Sequence, residues 1–370
     1  MNVAMIDVDI TIETYSSLLN TVKFYQVSDG SIGALNTESC TYDGISHGSL
    51  CMTLFAAGAK KLPDCFILLK KYESGKCNVD DLITAMEWCE KAGVRLISLS
   101  AGTSQYCDAF SLYQVVNRLH KQGITLTASA SNNRNLTYPA CFYNCLGVCV
   151  DNTGDMDPAS FSYQEHPYDG IEVVISAVTA EGMAINSNSE ATAYFAGVIS
   201  TAADNKSNIL KYIKEFSKSY PQRLSYDYAI NAIKNEHTDD VPIIAVKHIA
   251  KPHISNFISL MQVRFHESEY YALTINPPET GLTIENFSRY VHTPFNELNC
   301  SYEEYAQLVI KLCRPSILFL DYDSLDNDSG FNGLLYTNTM PDAKESALQL
   351  CMDILTPKEA FEMIINHFNG

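Results

Sequence analysis

Four residues stand where side-chain chemistry is most easily exposed. Asp7 closes the short apolar run VAMI, His47 precedes a stretch with helical character, Asn132 lies in the loop after ITLTASA, and Ser189 opens a helix rich in small residues. Open α/β sheets place ligands at such strand ends and helix starts. A carboxylate, an imidazole, a carboxamide and a hydroxyl are the parts acyl transfer needs: a nucleophile, a base to take its proton, a group to orient that base, and a donor for the oxyanion. Taken singly, each has a plainer reading. An Asp ending a strand is a cap, a His before Gly is a loop residue, and Asn is a common turn former because it tolerates left-handed dihedrals. His120, on its helix, and His166, before a proline, read as structural.

The elements that must carry these residues alternate strand and helix from residue 2 to about 220, the pattern of a parallel sheet covered by helices. Strands are expected at 3–6, 65–69, 94–99 and 124–130, and helices at 48–57, 78–91, 110–121, 191–200 and 208–219. Asn78 caps its helix, which sets Leu82, Met86 and Cys89 on one face. A polar stretch ending in NEHTDD reads as a linker over 221–240. A second α/β pattern follows, with strands at 241–249, 270–275 and 316–321 and helices near 255–266, 302–313 and 356–368. The expected architecture is therefore α/β, with a catalytic domain over 1–220 and a smaller α/β domain over 241–370. At 370 residues, two domains are the natural expectation.

The first domain resembles the subtilisin-like serine proteases in five ordered blocks. VAMIDVDI is similar to the strand that delivers the catalytic aspartate, which implies that role for Asp7, although Val8-Asp9 replaces the usual Ser/Thr-Gly. SHGSLCMTLFAA implies His47 as the base. RLISLSAGT is similar to the strand that lines the substrate cleft and places Ser100, Ala101 and Gly102 there. ITLTASASNN implies Asn132 as the oxyanion donor and puts Ala128, Ser129 and Ala130 on the facing wall. SNSEATAYFAGV implies Ser189 as the nucleophile, with Ser187-Asn188 in place of Gly-Thr and Ala193-Tyr194 in place of Pro-His. By the same alignment Thr137 stands on the floor of the specificity pocket where many relatives have glycine. Asn133 and Arg134 at its rim offer no negative charge, so small or medium, uncharged or acidic residues are expected before the cut.

The resemblance implies a serine endopeptidase that needs no cofactor and acts on a peptide. By analogy with the enzymes of lanthipeptide-type biosynthesis, that peptide would be a precursor shedding its leader. Two other readings remain open: an inactive scaffold that binds peptides by strand addition, and a nucleotide-dependent regulator. The second domain opens like a degenerate P-loop or Rossmann unit, but its loop AKPHISN has no glycine, and Pro252 removes a donor. A structural or substrate-docking role is expected instead.

Composition narrows the partners. A net charge of −18 repels nucleic acid and anionic membrane surfaces and would attract a cationic peptide. No apolar run reaches membrane-spanning length, and with Met1 as the start no signal peptide is evident, so a cytoplasmic location is expected. The twelve cysteines are scattered, which favours reduced thiols. Cys141, Cys145 and Cys149 are spaced by four and lack the C-x2-C pairing of metal sites, so no metal is expected.

Overall fold

The computed structural model describes residues 2–10, 22–35, 46–59, 61–74, 76–133, 135–165, 167, 169–202, 206–220, 241–278, 300–325, 330–337 and 348–369. The expected linker at 221–240, together with Arg134 and His166, lies outside the described residues. The chain forms two compact units, Met1–Leu224 and Ser225–Gly370.

In the first unit the elements run β1 (Val3–Asp7), β2 (Lys23–Ser28), β3 (Ser31–Ala34), α1 (His47–Ala59), β4 (Cys65–Leu69), α2 (Val79–Lys91), β5 (Leu96–Leu99), α3 (Tyr106–Lys121), β6 (Thr125–Ser129), β7 (Leu146–Val150), β8 (Phe161–Tyr163), β9 (Val173–Ile175), α4 (Asn188–Ala202) and α5 (Lys206–Phe216). The nine strands form one sheet in the order β3-β2-β4-β1-β5-β6-β7-β9-β8. All neighbours are parallel except the two edge strands, β3 on β2 and β8 on β9. The central strands are buried throughout because helices cover both faces, so they read as unbroken apolar runs.

Alternation along each strand divides the core. Val3 and Met5 of β1 join Phe66 and Leu68 of β4 in a cluster with Cys51, Met52 and Phe55 of α1, Phe195 and Ile199 of α4, and Ile213 of α5. The intervening Ala4 and Ile6 face the opposite side, where α2 and α3 pack together. Asn78 caps α2 as expected, its side chain accepting from the Asp80 N–H at 3.0 Å. Helix α3 begins four residues earlier than 110; Gln105 at its N-cap makes no side-chain cap bond, and Asp108 in its first turn accepts from Thr103 Oγ1 at 2.8 Å.

Helices α1 and α4 cross at two glycines. A Cβ on Gly58 would meet the Tyr194 carbonyl oxygen at 2.5 Å, and one on Gly197 would meet that of Phe55 at 2.2 Å. This bare contact lets the two helices touch backbone to backbone while their N-termini reach the sheet edge.

The second unit contains β10 (Ile243–Val246), α6 (Pro252–Glu267), β11 (Ala272–Thr274), α7 (Tyr302–Cys313), β12 (Ile317–Asp321), β13 (Gly333–Tyr336), β14 (Leu348–Cys351) and α8 (Pro357–Asn369). Its five strands are all parallel, in the order β11-β12-β10-β13-β14. Strand β10 is shorter than the apolar run over 241–249 suggests, and α6 starts inside the segment AKPHISN. Pro252 sits at the first helical turn, where a missing N–H costs nothing. Among the described residues no helix is long and apolar enough to cross a membrane.

Candidate active site

Strands β1, β5 and β6 are neighbours, and their C-terminal ends set Asp7, the segment 100–102 and the segment 128–130 side by side. Asp7 is 1% exposed, and its Oδ1 lies 2.8 Å from His47 Nδ1. The same oxygen accepts from the Val8 N–H at 2.7 Å. Two local features aim His47 at it. Ser46 accepts from the Ser49 N–H at 3.4 Å, in the manner of an N-cap. Gly48 lets the chain after Asp7 lie against the start of α1, where a Cβ would fall 1.9 Å from the Asp9 carbonyl oxygen. A side chain there would force the Asp9 backbone or the start of α1 to shift.

Asp7 Oδ2 is buried and has no hydrogen-bond partner among the described residues. Val8, the next residue, has an apolar side chain and offers it no hydroxyl.

The electrostatics favour a charged imidazole. The hydrogen bond to Asp7 raises the His47 pKa above its ordinary value; burial opposes this, and the charges of Asp7, Asp9 and Glu190 add to the rise. Lys71, 3.1 Å from Asp9, offsets part of that field.

Ser189 is the second residue of α4, and its Oγ donates to the Ser100 carbonyl at 3.3 Å and lies 3.4 Å from Ser129 Oγ. The hydrogen bonds of His47 run to Asp7 and to the Cys51 thiol, 3.9 Å away, so the link from imidazole to serine is not closed in this arrangement. Sites of this kind often tighten only when substrate enters. Asn132 lies on the turn after β6, exposed, with its Oδ1 accepting from the Asn188 N–H at 3.5 Å. Four of the sequence-predicted groups thus surround one sheet edge, with the Asp–His pair already bonded.

The predicted pocket walls are also adjacent. Leu99 pairs with Ala128, and the chain from Thr103 bridges antiparallel to Tyr138. This brings Thr137, itself 8% exposed, against Gly102, where a Cβ would meet Thr137 Cγ2 at 2.7 Å.

Three neighbours escaped the sequence reading. Cys51 sits one turn after His47, and its burial pushes the thiol well above the ordinary range. Glu190, 7% exposed, accepts from the Asn186 N–H at 2.9 Å, while the Glu190 N–H donates to Ser187 Oγ at 3.3 Å. Ser187 Oγ also donates to Glu190 Oε1 at 3.1 Å, so the pair closes the start of α4, and its S-x-x-E spacing was present at 187–190. The third is Asn188, which read from sequence only as a departure from Gly-Thr. Asp7, His47 and Cys51 are also the one set of potential metal-ligating atoms within 4.8 Å of one another among the described residues. Cys141, Cys145 and Cys149 do not converge in this way.

A family model for the subtilase family matches residues 2–219. No curated protein sequence matches the chain. Among solved structures, a lanthipeptide protease is similar to it with a TM-score of 0.40 and 14% identity, over 65% of this chain and 81% of that one. The family match spans more than half of the 370 residues and runs through every block of the sheet edge just described; the chain belongs to the subtilase family of serine peptidases.

Proposed function

We propose that the chain is a serine endopeptidase in which Ser189, His47 and Asp7 form the catalytic triad and Asn132 donates to the oxyanion. The observation that carries this reading is the 2.8 Å bond between buried Asp7 and His47, at the same sheet edge as a serine on a helix N-terminus. A substrate backbone N–H arriving at the 100–102 segment competes for the Ser100 carbonyl, and the Ser189 hydroxyl turns to His47 Nε2. Oγ then attacks the scissile carbonyl carbon while the imidazole takes its proton. Asp7 keeps the Nδ1–H in place and offsets the imidazolium charge. Collapse of the tetrahedral intermediate expels the amine, which receives that proton from His47, and water then cleaves the acyl-enzyme by the same route in reverse.

The substrate we assign is one specific precursor peptide, trimmed to release its mature part. Thr137 against Gly102 supports a short pocket and hence a narrow range of cleavage sites. The unit Ser225–Gly370 supplies none of these groups and is given a structural or substrate-docking role. The bond from Ser189 Oγ to Ser100 favours a second reading, a peptide-binding module without turnover. A fluorophosphonate probe separates the two. The enzyme is expected to be labelled at Ser189, with labelling absent in Ser189→Ala, and mass spectrometry of incubated precursor peptides should show one cut. A folded wild-type protein that resists the probe would establish the binding module.

A further inference from the structure

We propose that Asn188 is a positioning residue that holds the oxyanion loop against the nucleophile's helix, an assignment that rests on the function proposed above. Strands β6 and β7 run together as far as the bond from the Ala130 N–H to the Val148 carbonyl, 2.9 Å. Beyond it they part, because the chain after β6 turns outward to present Asn132. Parting strands leave backbone groups without ladder partners, and buried backbone groups must find others.

The Asn188 side chain fills that fork. Its Nδ2 donates to the Ala130 and Ser131 carbonyls at 3.2 and 3.0 Å, and its Oδ1 accepts from the Val150 N–H at 2.9 Å. Both amide donors and one acceptor site are used, in a residue only 6% exposed. The backbone takes part as well, since the Asn188 N–H reaches Asn132 Oδ1 and its carbonyl accepts from Thr192 Oγ1 at 2.7 Å. One residue therefore ties the loop bearing Asn132, the end of β7 and the turn bearing Ser189.

A plain helix cap does not account for this. The cap of α4 is already supplied by Ser187 and Glu190, and the Asn188 acceptor is spent on a strand 38 residues away rather than on its own first turn. An aspartate at 188 would keep the shape and the bond to Val150 while setting a carboxylate oxygen against two carbonyls.

The test is a double-mutant cycle with an N-acylated tri-alanine p-nitroanilide as substrate. Asn132→Ala should lower kcat by roughly 10² to 10³, the range that subtilisin's own oxyanion asparagine sets. Asn188→Asp should lower kcat by about 10- to 100-fold with KM nearly unchanged, a part of that same term. If Asn188 acts through the loop, adding Asn188→Asp to Asn132→Ala should cost less than about twofold more. Losses that multiply in the double variant, or a loss confined to KM, would overturn the assignment. Circular dichroism and Tm establish that each variant folds, and Asn188→Thr, which keeps one hydroxyl in the fork, replaces Asn188→Asp in the cycle if the latter does not. Should Asn132→Ala leave kcat unchanged, the oxyanion role falls and the Asn188 proposal with it. Fluorophosphonate labelling of the wild type then reports separately whether Ser189 is still the nucleophile.

Discussion

Each unit of the chain carries a histidine bonded to an aspartate near the C-terminal edge of a parallel sheet, at almost the same distance. In the first unit His47 Nδ1 lies 2.8 Å from Asp7; in the second, His248 Nδ1 lies 2.9 Å from Asp323. The surroundings differ. The Asp7 side chain is 1% exposed and that of Asp323 is 45% exposed, so solvent screens the second pair to a worth of about 0 to 1 kcal/mol. The hydroxyls differ too. Ser189 donates to the Ser100 backbone carbonyl, whereas in the second unit Ser324 donates to the Asp321 carboxylate, which also accepts from the Ile249 N–H. The second edge satisfies itself. A His–Asp bond becomes a candidate charge device only when the carboxylate is desolvated and a hydroxyl that is not bonded to a carboxylate stands at the same edge.

Replacing the two histidines gives the sharpest contrast. If the proposed triad operates, His47→Ala should lower kcat on the order of 10⁶-fold, the loss carried over from subtilisin, because triad members act as a unit. His248→Ala should leave kcat within about twofold, since its partner is exposed and bonded to no reacting group. Steady-state hydrolysis of the same p-nitroanilide measures both, and equal losses would make the burial argument wrong.

A smaller effect tests whether the first edge is an open pocket at all. Thr137→Gly removes the methyl that lies against Gly102 and should shift preference toward Phe and Tyr before the cut. The expected gain is about 10- to 200-fold in relative kcat/KM, the usual worth of a methylene or so in a hydrophobic pocket. A peptide-library profile of the wild type already dominated by Phe, Tyr, Lys or Arg would remove Thr137 from the floor.

The smallest effect concerns charge. The bond to Asp7, with the fields of Asp7, Asp9 and Glu190, raises the pKa of His47, and an imidazole acting as the proposed base must be neutral to take a proton. Activity should therefore fall on the acid side with a midpoint above the ordinary 6.5 or so of histidine. The linked stability has the opposite sense. The imidazolium's contribution is complete below the unfolded pKa and is lost as pH rises through the raised folded value. Asp9→Asn should move the acid limb of kcat/KM to lower pH by a fraction of a unit, and a limb that stays in place would remove Asp9 from the field at His47.

Much of this was legible in the chain itself because it is local. The apolar run that ends at Asp7, the Asn78 cap, the helix opening at His47 and the small residues after Ser189 each declare themselves within a few positions. The ordered blocks carried the residue types of the site and the α/β class. The antiparallel edge strands β3 and β8 were not read, since each is only three or four residues long and lacks a sustained alternation.

What only the tertiary structure decided is which of these residues meet. Asp7 and His47 are 40 positions apart, and the chain after Asp7 packs against the start of α1 at Gly48, where a Cβ would meet the Asp9 carbonyl oxygen. Asn188 read from sequence as a departure from Gly-Thr; its meaning lies in Ala130, Ser131 and Val150, which reach it only because β6 and β7 part at the C-terminal edge of the sheet. The burial that separates Asp7 from Asp323 belongs to the same class. Propensity and spacing act over a turn or a strand, whereas desolvation and the pairing of leftover backbone groups are properties of the packed sheet.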